Sequence, residues 1–464
     1  MNQSLSRRTI LRAFCVAPFG AGLARAQTPA ELKVASRIIE VNGRAAKVFC
    51  IVNGGGGNGL SLMLGERFRA RVKNHLDVET LLHWHGLNPP SAQDGVPVLS
   101  QAPLKPGESF DYDFVNTRSG THWMHSHLGL QEQQLLAAPL IVHETPEPLF
   151  DEQEHVVLLH DFTFRDPQEI LAELKGGVGA HAGHAMGGVE MAMPGMLNDI
   201  MFDAYLANDR TLADPEVVRV DKAAQIRLRI INGSAASNMW IDLGALQGEL
   251  ITVDGNAVYP LKGSLFPLAI AQRADIRVKL PEGRGAWPIL FRPEGLGART
   301  GIYLATQGAE IARLSGEGDV APELDLAQEM KLRSVAVLPP EPVTRTEILA
   351  LTGGGPDYLW GLNGKSSMHE TIFSVRENER IEVVMKNQTG MAHPMHLHGH
   401  YFKVVAINSV SIEGALRDTV LVPPSTSVTI RFAADNPGTW AFHCHHLYHM
   451  NAGMMGAIRY SNAA

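Results

Sequence analysis

Histidines occur in the sequence as pairs separated by one residue, at four places. The pairs are His83 with His85, His125 with His127, His396 with His398, and His443 with His445. Successive side chains of a β-strand point to opposite faces, so the two members of each pair would share a face. Imidazole is the commonest protein ligand for metal ions. One such pair is weak evidence, but four in a repeated register predict a cluster of metal ions held by eight imidazoles.

Cys444 lies between the last two of these histidines and therefore faces the opposite side of its strand. Around it the sequence offers His393, His449 and Met454. Two imidazoles, one thiolate and a weak methionine ligand form a blue-copper electron-transfer site, whereas a structural zinc site brings several cysteines. The sequence therefore predicts copper bound to a thiolate on one face of the strand and a histidine cluster on the other.

The two predicted sites differ in chemistry. A thiolate-bound copper without an open position is suited to moving electrons, and a multi-metal histidine cluster keeps open positions for an oxygen species. The backbone from Cys444 to His443 and His445 joins the two sites. This pattern indicates an oxidoreductase that takes single electrons from a donor and uses four of them to reduce dioxygen to water.

Three stretches of the chain share a strand pattern that would position these residues. Each is an alternating run that ends in Asn, and the three runs occupy residues 67–74, 226–232 and 380–387. Nine residues after the Asn stands His83 in the first copy and His396 in the third, whereas the middle copy has the apolar Ile241. The repeat predicts three related β-domains, of which the middle one lacks the ligands.

The first and third copies share a second element. Gly120 precedes His125 by five residues, and Gly438 precedes His443 by the same number. Turn-forming residues stand before both glycines and favour strands that begin there. We therefore predict three β-sandwich domains. Their predicted bounds are 27–145, 146–320 and 321–464.

Length and composition agree with this layout. A chain of 464 residues has room for three units of roughly 150 residues each. The formal net charge of -8 gives no reason to expect a nucleic acid partner or an anionic lipid surface. Besides Cys15 the chain has only Cys50 and Cys444, which is too few for a disulfide scaffold. Cys50 is expected to pack as a small apolar side chain.

Residues 1–26 are predicted to be an export signal. Arg7 and Arg8 form a twin-arginine pattern, an apolar run follows at 13–23, and residues 24–26 form a small-x-small cleavage site. The run is too short to anchor the mature protein in a bilayer. Twin-arginine export carries folded proteins, which suits a chain that must first acquire metal. We expect a periplasmic monomer, exported by the twin-arginine machinery and without a stable membrane anchor.

A glycine-rich stretch at 176–201 breaks the strand pattern and carries soft metal ligands. These are His181, His184, Met186, Met191, Met193, Met196 and Met201. Such a composition does not pack a core and predicts a loop inserted in the second domain. Thioether and imidazole groups favour Cu(I). The stretch is therefore either a transient Cu(I) site or a linker whose methionines are incidental.

Taken together, the motifs resemble those of the multicopper oxidases, which include laccases, bacterial cuprous oxidases and copper-resistance oxidases. The motifs are HWHG from His83, HSH from His125, HPMHLHG from His393 and HCHHLYHMNAGMM from His443. The resemblance covers the whole chain after the signal. It implies an all-β fold of three consecutive cupredoxin-like Greek-key β-sandwich domains. It also implies four copper ions, one type 1, one type 2 and two type 3, with a trinuclear cluster between the first and third domains.

Carried over residue by residue, the resemblance assigns the copper ligands. The type 1 ligands would be His393, Cys444 and His449, with Met454 axial, and the type 2 ligands would be His83 and His396. The type 3 ligands would be His85, His125 and His445 on one ion, and His127, His398 and His443 on the other. Asp94 matches an acidic residue that the family places near the cluster to help supply protons, although an Asp before Gly95 also fits a simple turn.

Four further histidines lie beside the motifs but outside the ligand register. They are His75, His122, His400 and His446. We expect them at the surface or packed behind the ligands. His446 directly follows a ligand and should face away from the cluster if the strand continues.

Three functions compete. Oxidation of Cu(I) for copper tolerance is favoured by the export signal and the methionine-rich stretch. Against it, Gly361 and Thr389 stand where cuprous oxidases have acidic residues beside the type 1 site, and of the residues expected there only Met391 is present. A laccase-like oxidase of phenols and aromatic amines would need an open aromatic pocket at His393 or His449, and Fe(II) is a further small donor. A non-enzymatic scaffold is disfavoured by the complete ligand set, and the three-copy layout excludes a two-domain nitrite reductase.

Overall fold

The computed structural model describes residues 29–144, 152–176, 197–336, 342–367 and 369–461. The predicted export signal at 1–26 lies outside the described residues. So do six of the proposed Cu(I) ligands, namely His181, His184, Met186, Met191, Met193 and Met196. In the described ranges no helix has both the length and the apolar character needed to cross a membrane.

The first domain is a sandwich of two four-stranded sheets. Its strands are β1 (Ala30–Val41), β2 (Arg44–Asn53), β3 (Leu60–Met63), β4 (Arg67–Asn74), β5 (Leu82–His85), β6 (Ser109–Val115), β7 (Gly120–Ser126) and β8 (Ala137–His143). The sheet orders are β2-β1-β4-β6 and β3-β8-β7-β5. On β4 the residues Phe68, Ala70 and Val72 are buried and alternate with charged ones, as one buried sheet face requires. Phe68 meets Trp84 of β5 edge to face across the core.

The second domain pairs a six-stranded with a five-stranded sheet. Its elements are β9 (Glu152–Phe162), α1 (Pro167–Lys175), β10 (Ala204–Ala207), β11 (Glu216–Arg219), β12 (Gln225–Asn232), β13 (Met239–Asp242), β14 (Gly248–Val253), β15 (Asn256–Gly263), β16 (Leu265–Leu268), β17 (Arg273–Lys279), β18 (Ala286–Pro293) and β19 (Thr300–Ala305). The orders are β10-β9-β12-β17-β14-β15 and β11-β19-β18-β13-β16. After β19, Ala321 and Val335 still hydrogen-bond to this domain, at Leu296 and Ala257.

The third domain combines a seven-stranded and a five-stranded sheet. Its elements are β20 (Arg345–Gly354), β21 (Leu359–Leu362), β22 (Thr371–Val375), β23 (Arg380–Asn387), β24 (His393–Leu397), β25 (Phe402–Ile407), β26 (Val410–Ser411), β27 (Leu416–Arg417), β28 (Thr419–Val422), β29 (Ser427–Ala433), β30 (Thr439–Cys444), α2 (Leu447–Asn451) and β31 (Met455–Tyr460). The orders are β21-β20-β23-β29-β25-β26, with β27 on β25, and β22-β31-β30-β24-β28.

The three sandwiches repeat one topology. In each, the strand predicted from the repeat pairs in parallel with the first strand of its domain and antiparallel with a later one. These strands are β4 with β1 and β6, β12 with β9 and β17, and β23 with β20 and β29. The structure therefore has the predicted threefold repeat of β-sandwiches.

The Asn that ends each repeat strand makes equivalent hydrogen bonds in all three domains. Its buried side-chain amide donates hydrogen bonds to two backbone carbonyls. The acceptors are Val78 and Leu104 for Asn74, Ser237 and Leu268 for Asn232, and Met391 and Val422 for Asn387. Buried carbonyls need such partners. Each Asn thereby fixes the loop that leads into β5, β13 or β24, where the predicted ligand register begins.

The first and third domains are joined beside the ligand strands. The hydroxyl of Ser91 donates to the carbonyl of Thr439 at 3.0 Å and accepts from the Thr439 amide at 3.1 Å. The amide of Asn436 donates to the carbonyl of Pro89 at 3.1 Å. These contacts bring β5 and β7 of the first domain to face β24 and β30 of the third.

Candidate metal centres

Strand pairing brings the predicted cluster histidines together in two matching sets. His83 on β5 lies opposite His125 on β7, and His396 on β24 lies opposite His443 on β30. The two sets then meet across the domain boundary, where His85 and His396 stack with 3.8 Å between ring centroids. All eight cluster histidines are buried. The eight rings therefore form one cluster between the first and third domains.

The ring nitrogens of these histidines form groups in which the ligand atoms lie within 4.8 Å of one another, and three of these groups consist of histidines alone. These three groups are His85 with His125 and His445, His127 with His398 and His443, and His83 with His85 and His396. The first two groups are the sets predicted for the two type 3 ions. The third contains both residues predicted for the type 2 ion.

In several of these imidazole rings, one nitrogen is hydrogen-bonded to the protein and the other is buried without a hydrogen-bond partner. The Nδ1 atoms of His83 and His396 donate to the carbonyls of Asp94 and Asp418, both at 2.8 Å. The buried nitrogens without a partner are Nε2 of His83, His125, His396 and His445, and Nδ1 of His85. Buried polar atoms are normally paired. Five unpaired nitrogens in one cluster are the donor set that metal ions require, so copper fits these residues.

Burial favours the neutral form of the imidazole in seven cluster histidines. Burial and neighbouring imidazoles lower the pKa well below its ordinary value for His85, His125, His127, His396, His398 and His445. Burial lowers the pKa of His443 to about 4. Only the neutral imidazole binds a metal ion. These seven rings can therefore bind metal at neutral pH without first losing protons.

Asp94 and Asp418 occupy equivalent places in the first and third domains. Each gives its backbone carbonyl to the first histidine of its own domain, His83 or His396. Each directs its carboxylate to the other domain, where Asp94 accepts from His398 Nδ1 at 2.8 Å and Asp418 accepts from His85 Nε2 at 3.1 Å. Asp94 thus lies against the cluster, where the resemblance had suggested it. Sequence reasoning missed Asp418, because its distance along the chain from His396 is twice that of Asp94 from His83.

Glu132 is a third carboxyl group at the cluster and was also missed. Its Oε2 lies 2.8 Å from His125 Nδ1, and its Oε1 lies 3.7 Å from His445 Nδ1. Burial, with the nearby charge of Asp161, raises the pKa of Glu132 well above its ordinary value. The only sequence signal was a lone acid shortly after the HSH motif.

The predicted type 1 residues converge on the other face of β30. Cys444 Sγ lies 3.6 Å from His393 Nδ1 and 3.8 Å from His449 Nδ1, and the two nitrogens are 3.2 Å apart. Met454 is fully buried in the same hydrophobic cluster, and its carbonyl accepts from the Cys444 amide at 3.0 Å. Burial raises the pKa of the Cys444 thiol, so a metal ion must displace its proton. A thiolate, two imidazoles and a thioether fit a blue copper ion.

The outer nitrogens of the two type 1 imidazoles meet other side chains. His393 Nε2 is hydrogen-bonded to the Thr389 hydroxyl at 2.7 Å, and His449 Nε2 lies 3.4 Å from Asp199 Oδ2. The ring of Trp360 packs 4.0 Å from His449. Burial raises the pKa of Asp199, but the nearby imidazoles of His446 and His449 outweigh it and hold that pKa well below its ordinary value. Asp199 was missed because no local pattern joins it to a histidine so far along the chain.

Of the four histidines set aside from the ligands, one is exposed and three are buried. His75 is exposed. His446 stacks on His449 with 3.7 Å between centroids, and His400 is hydrogen-bonded to the Tyr460 hydroxyl at 2.8 Å. His122 is buried and contacts the Ser119 carbonyl. Cys50 is a buried free thiol.

Comparisons with known proteins agree with this arrangement. Models of the multicopper oxidase family match residues 33–147, 153–315 and 340–464. Multicopper oxidase MmcO of Mycobacterium tuberculosis is 30% identical over 86% of this chain and 80% of its own length. Copper resistance protein A of Escherichia coli is 26% identical over 93% of this chain and 92% of its own. The crystal structure of a laccase from Botrytis aclada matches with a TM-score of 0.76 at 22% identity, covering 94% of this chain and 88% of the laccase.

The structural match confirms the predicted all-β fold of three cupredoxin-like domains. The sequence matches extend over all three domains and include the segments that carry the histidine pairs and Cys444. This chain belongs to the multicopper oxidase family, and it is a copper-dependent oxidoreductase that uses dioxygen.

Proposed function

We propose that the protein couples one-electron oxidation of a reduced donor at the Cys444 site to four-electron reduction of dioxygen to water at the histidine cluster. The favoured donor is Cu(I), and the use is copper tolerance. One observation carries the coupling. The consecutive residues His443, Cys444 and His445 each belong to a different group of converging ligand atoms. A single short stretch of backbone therefore joins the donor side to the oxygen side.

Four copper ions would be held by the ligand sets assigned above, with His393, Cys444, His449 and Met454 at the type 1 site. Copper supplies one-electron redox chemistry at the thiolate and dioxygen binding and reduction at the cluster. His443 and His445 form the electron path from Cys444. Reduction to water also consumes protons, and we assign their supply to Asp94, whose carboxylate contacts His398 at 2.8 Å.

The surroundings of His449 favour a small cationic donor. His393 and His449 are both fully buried, so a bulky molecule has no ring edge to touch in the described structure. Asp199 supplies a carboxylate 3.4 Å from His449 Nε2, and carboxylates attract cations. The Asp199 carboxylate would replace the acidic residues that cuprous oxidases have at the positions of Gly361 and Thr389. The methionines and histidines at 181–196 directly precede Asp199 in the chain and would add soft Cu(I) ligands.

A laccase-like oxidase of phenols and aromatic amines is the second candidate. The ring of Trp360 lies 4.0 Å from His449, and Tyr358 packs against Trp360 with 5.7 Å between ring centroids. Such rings could stack on an aromatic donor if the covering residues move. A copper-free scaffold would have no reason to keep converging, unpaired nitrogens. We also propose export to the periplasm through the twin-arginine pathway and a monomeric state.

Oxygen consumption with Cu(I), Fe(II) and a phenol as donors tests the proposal. We expect kcat/KM for Cu(I) to exceed that for the phenol about 100-fold, or about 2.7 kcal/mol of transition-state free energy. Asp199→Asn should lower the Cu(I) value roughly tenfold, since one nearby charge is lost. Asp357→Asn removes the same charge from an exposed position and is the matched control. A phenol preference in the unmodified protein would put the laccase-like function first.

Deletion of residues 177–196 tests the contribution of the methionine-rich stretch. We expect the fold and the blue colour to remain, because the predicted strand pattern does not run through it. Cu(I) oxidation at low copper should fall, while turnover of a bulky phenol should stay the same or rise. If both donors keep unaltered constants, the stretch is only a linker, and the laccase-like function moves ahead.

A further inference from the structure

His85 is oriented differently from His83 and His396, with which it forms one of the three histidine groups. Its Nε2 donates to Asp418 Oδ1 at 3.1 Å and lies 3.3 Å from the Thr419 hydroxyl, while its Nδ1 is buried without a partner. In His83 and His396 the reverse holds, with Nδ1 engaged and Nε2 unpaired. His85 therefore offers Nδ1 to the cluster where its neighbours offer Nε2.

The carboxylate of Asp418 decides which nitrogen of His85 carries the hydrogen. A neutral imidazole has one N–H and one acceptor nitrogen, and an ionised carboxylate can only accept. The contact with Asp418 thus keeps the hydrogen on Nε2 and leaves the lone pair of Nδ1 free. A hydrogen bond to the nitrogen opposite the metal fixes both the tautomer and the ring orientation of a ligand histidine.

Asp418 is itself held by Arg273 of the second domain. Arg273 Nη1 donates to Oδ1 at 2.6 Å and Nη2 donates to Oδ2 at 2.5 Å, in a fully buried two-pronged pair. The Arg273 Nε donates to the carbonyl of Thr121 in the first domain at 3.1 Å. This one side chain therefore connects all three domains beside the cluster.

The residue after His85 shows how closely Arg273 approaches. Gly86 has a φ of +90°, and a Cβ there would lie 2.5 Å from Arg273 Nη2. Glycine adopts this conformation without strain, and it alone leaves room for the guanidinium. The HWHG motif thus keeps its glycine at the point where the arginine of another domain enters.

We propose that Arg273 and Asp418 are positioning residues that hold His85 with Nδ1 toward the copper cluster. The second domain supplies no histidine to the three cluster groups of the described chain, yet through Arg273 it sets the donor atom of one ligand. The inference rests on the proposed function, because it concerns the affinity of the type 3 pair for copper. The carboxylate acts here as a hydrogen-bond acceptor, and not through its charge.

Three variants separate these roles. Asp418→Leu removes the acceptor but leaves Arg273 buried without its main partner, which can prevent folding. The double variant Arg273→Met with Asp418→Leu removes both charges and keeps apolar volume. Arg273→Met with Asp418→Asn also removes both charges, but its amide oxygen can still accept at the Oδ1 position, where Thr419 and His85 donate. Arg37→Met with Asp209→Asn changes another two-pronged arginine–carboxylate pair, away from the cluster, and is the matched control.

The readouts are copper bound per chain during dialysis against a chelator, the near-ultraviolet absorption of a coupled copper pair, and the blue thiolate absorption as internal reference. In both Leu variants we expect the pair to bind copper about 10- to 100-fold more weakly, with the blue absorption unchanged. Arg273→Met with Asp418→Asn should retain the pair, and so should the Arg37→Met, Asp209→Asn control.

Full copper content and pair absorption in the Met/Leu double variant would overturn the proposal. So would an Arg273→Met, Asp418→Asn protein as impaired as the Leu variants, because the hydrogen-bond acceptor would then not be the property that matters. If Asp418→Leu does not fold, the two double variants give the answer. An unmodified protein that shows neither absorption after copper loading contradicts the proposed function itself and not this inference.

Discussion

The thiolate site and the histidine cluster lie back to back on one strand, but they are assembled in opposite ways. All residues of the thiolate site come from the third domain, from β24, β30 and the segment that includes α2. The cluster takes His85 and His125 from the first domain and His396 and His443 from the third. A domain that folds by itself can therefore build the thiolate site, whereas the cluster exists only when separate domains dock.

The surroundings of the two sites differ as well. Cys444 belongs to a large hydrophobic cluster with Trp360 and Met454. The histidine cluster is bordered by the buried carboxyl groups of Asp94, Glu132 and Asp418. The polar groups of Thr389 and Asp199 contact the outer nitrogens of His393 and His449. Apolar neighbours around the thiolate suit a group that only stores and passes electrons, since few polar groups need to reorganise. Carboxyl groups suit a site where protons must also arrive.

Cys444→Ser should have the largest effect on turnover, and it distinguishes the thiolate site from the histidine cluster most clearly. A serine oxygen cannot give the copper-thiolate absorption, so the blue colour should vanish. The cluster ligands lie on the other face of β30, so the cluster should still bind copper. Oxygen consumption should fall about 1000-fold or more, which is about 4 kcal/mol. Absorption spectra, copper per chain and oxygen uptake measure these outcomes.

Cys50→Ser is the matched control for that variant. Cys50 is the other buried free thiol of the described chain, and its Sγ lies 3.5 Å from the Ala35 carbonyl in the first domain. Its replacement should leave colour and turnover unchanged. A Cys444→Ser protein that stays blue would contradict the assignment of the thiolate site.

His396→Ala should give the reverse result at a single residue. It removes one of two protein ligands proposed for the type 2 ion, so that ion should be lost first. The blue absorption should remain, because Cys444, His393 and His449 are untouched, while oxygen consumption should fall about 100-fold or more. Copper analysis, the blue absorption and oxygen uptake are the measurements. The exposed His75 gives a matched control in His75→Ala, and normal oxygen uptake by His396→Ala would refute the ligand map.

The sequence was informative wherever chemistry repeats at short range. The paired histidines and the Asn-ended strands repeat with fixed spacing. Alternation along β30 is enough to place the side chains of Cys444 and His443 on opposite faces of that strand. Domain docking has no such local signal. Asp199 and Asp418 come near their histidine partners, and Arg273 comes near Asp418, only because distant segments pack together. The sandwiches and the convergence of the histidines and Cys444 were therefore predictable, and the groups that orient those histidines were not.

Met454→Leu should have the smallest effect, because it alters one proposed weak ligand of the thiolate site and leaves the cluster untouched. The Met454 thioether would donate little electron density to a copper ion, and leucine of similar volume should fit the buried space. Loss of that donation favours the reduced ion, so the reduction potential should rise. We expect a rise of roughly 60 mV, which for one electron corresponds to a tenfold change in the equilibrium constant. The blue colour should persist. Redox titration of the blue absorption measures the shift, with Met450→Leu on α2 as the matched control. An unchanged potential would mean that Met454 does not act as the axial ligand.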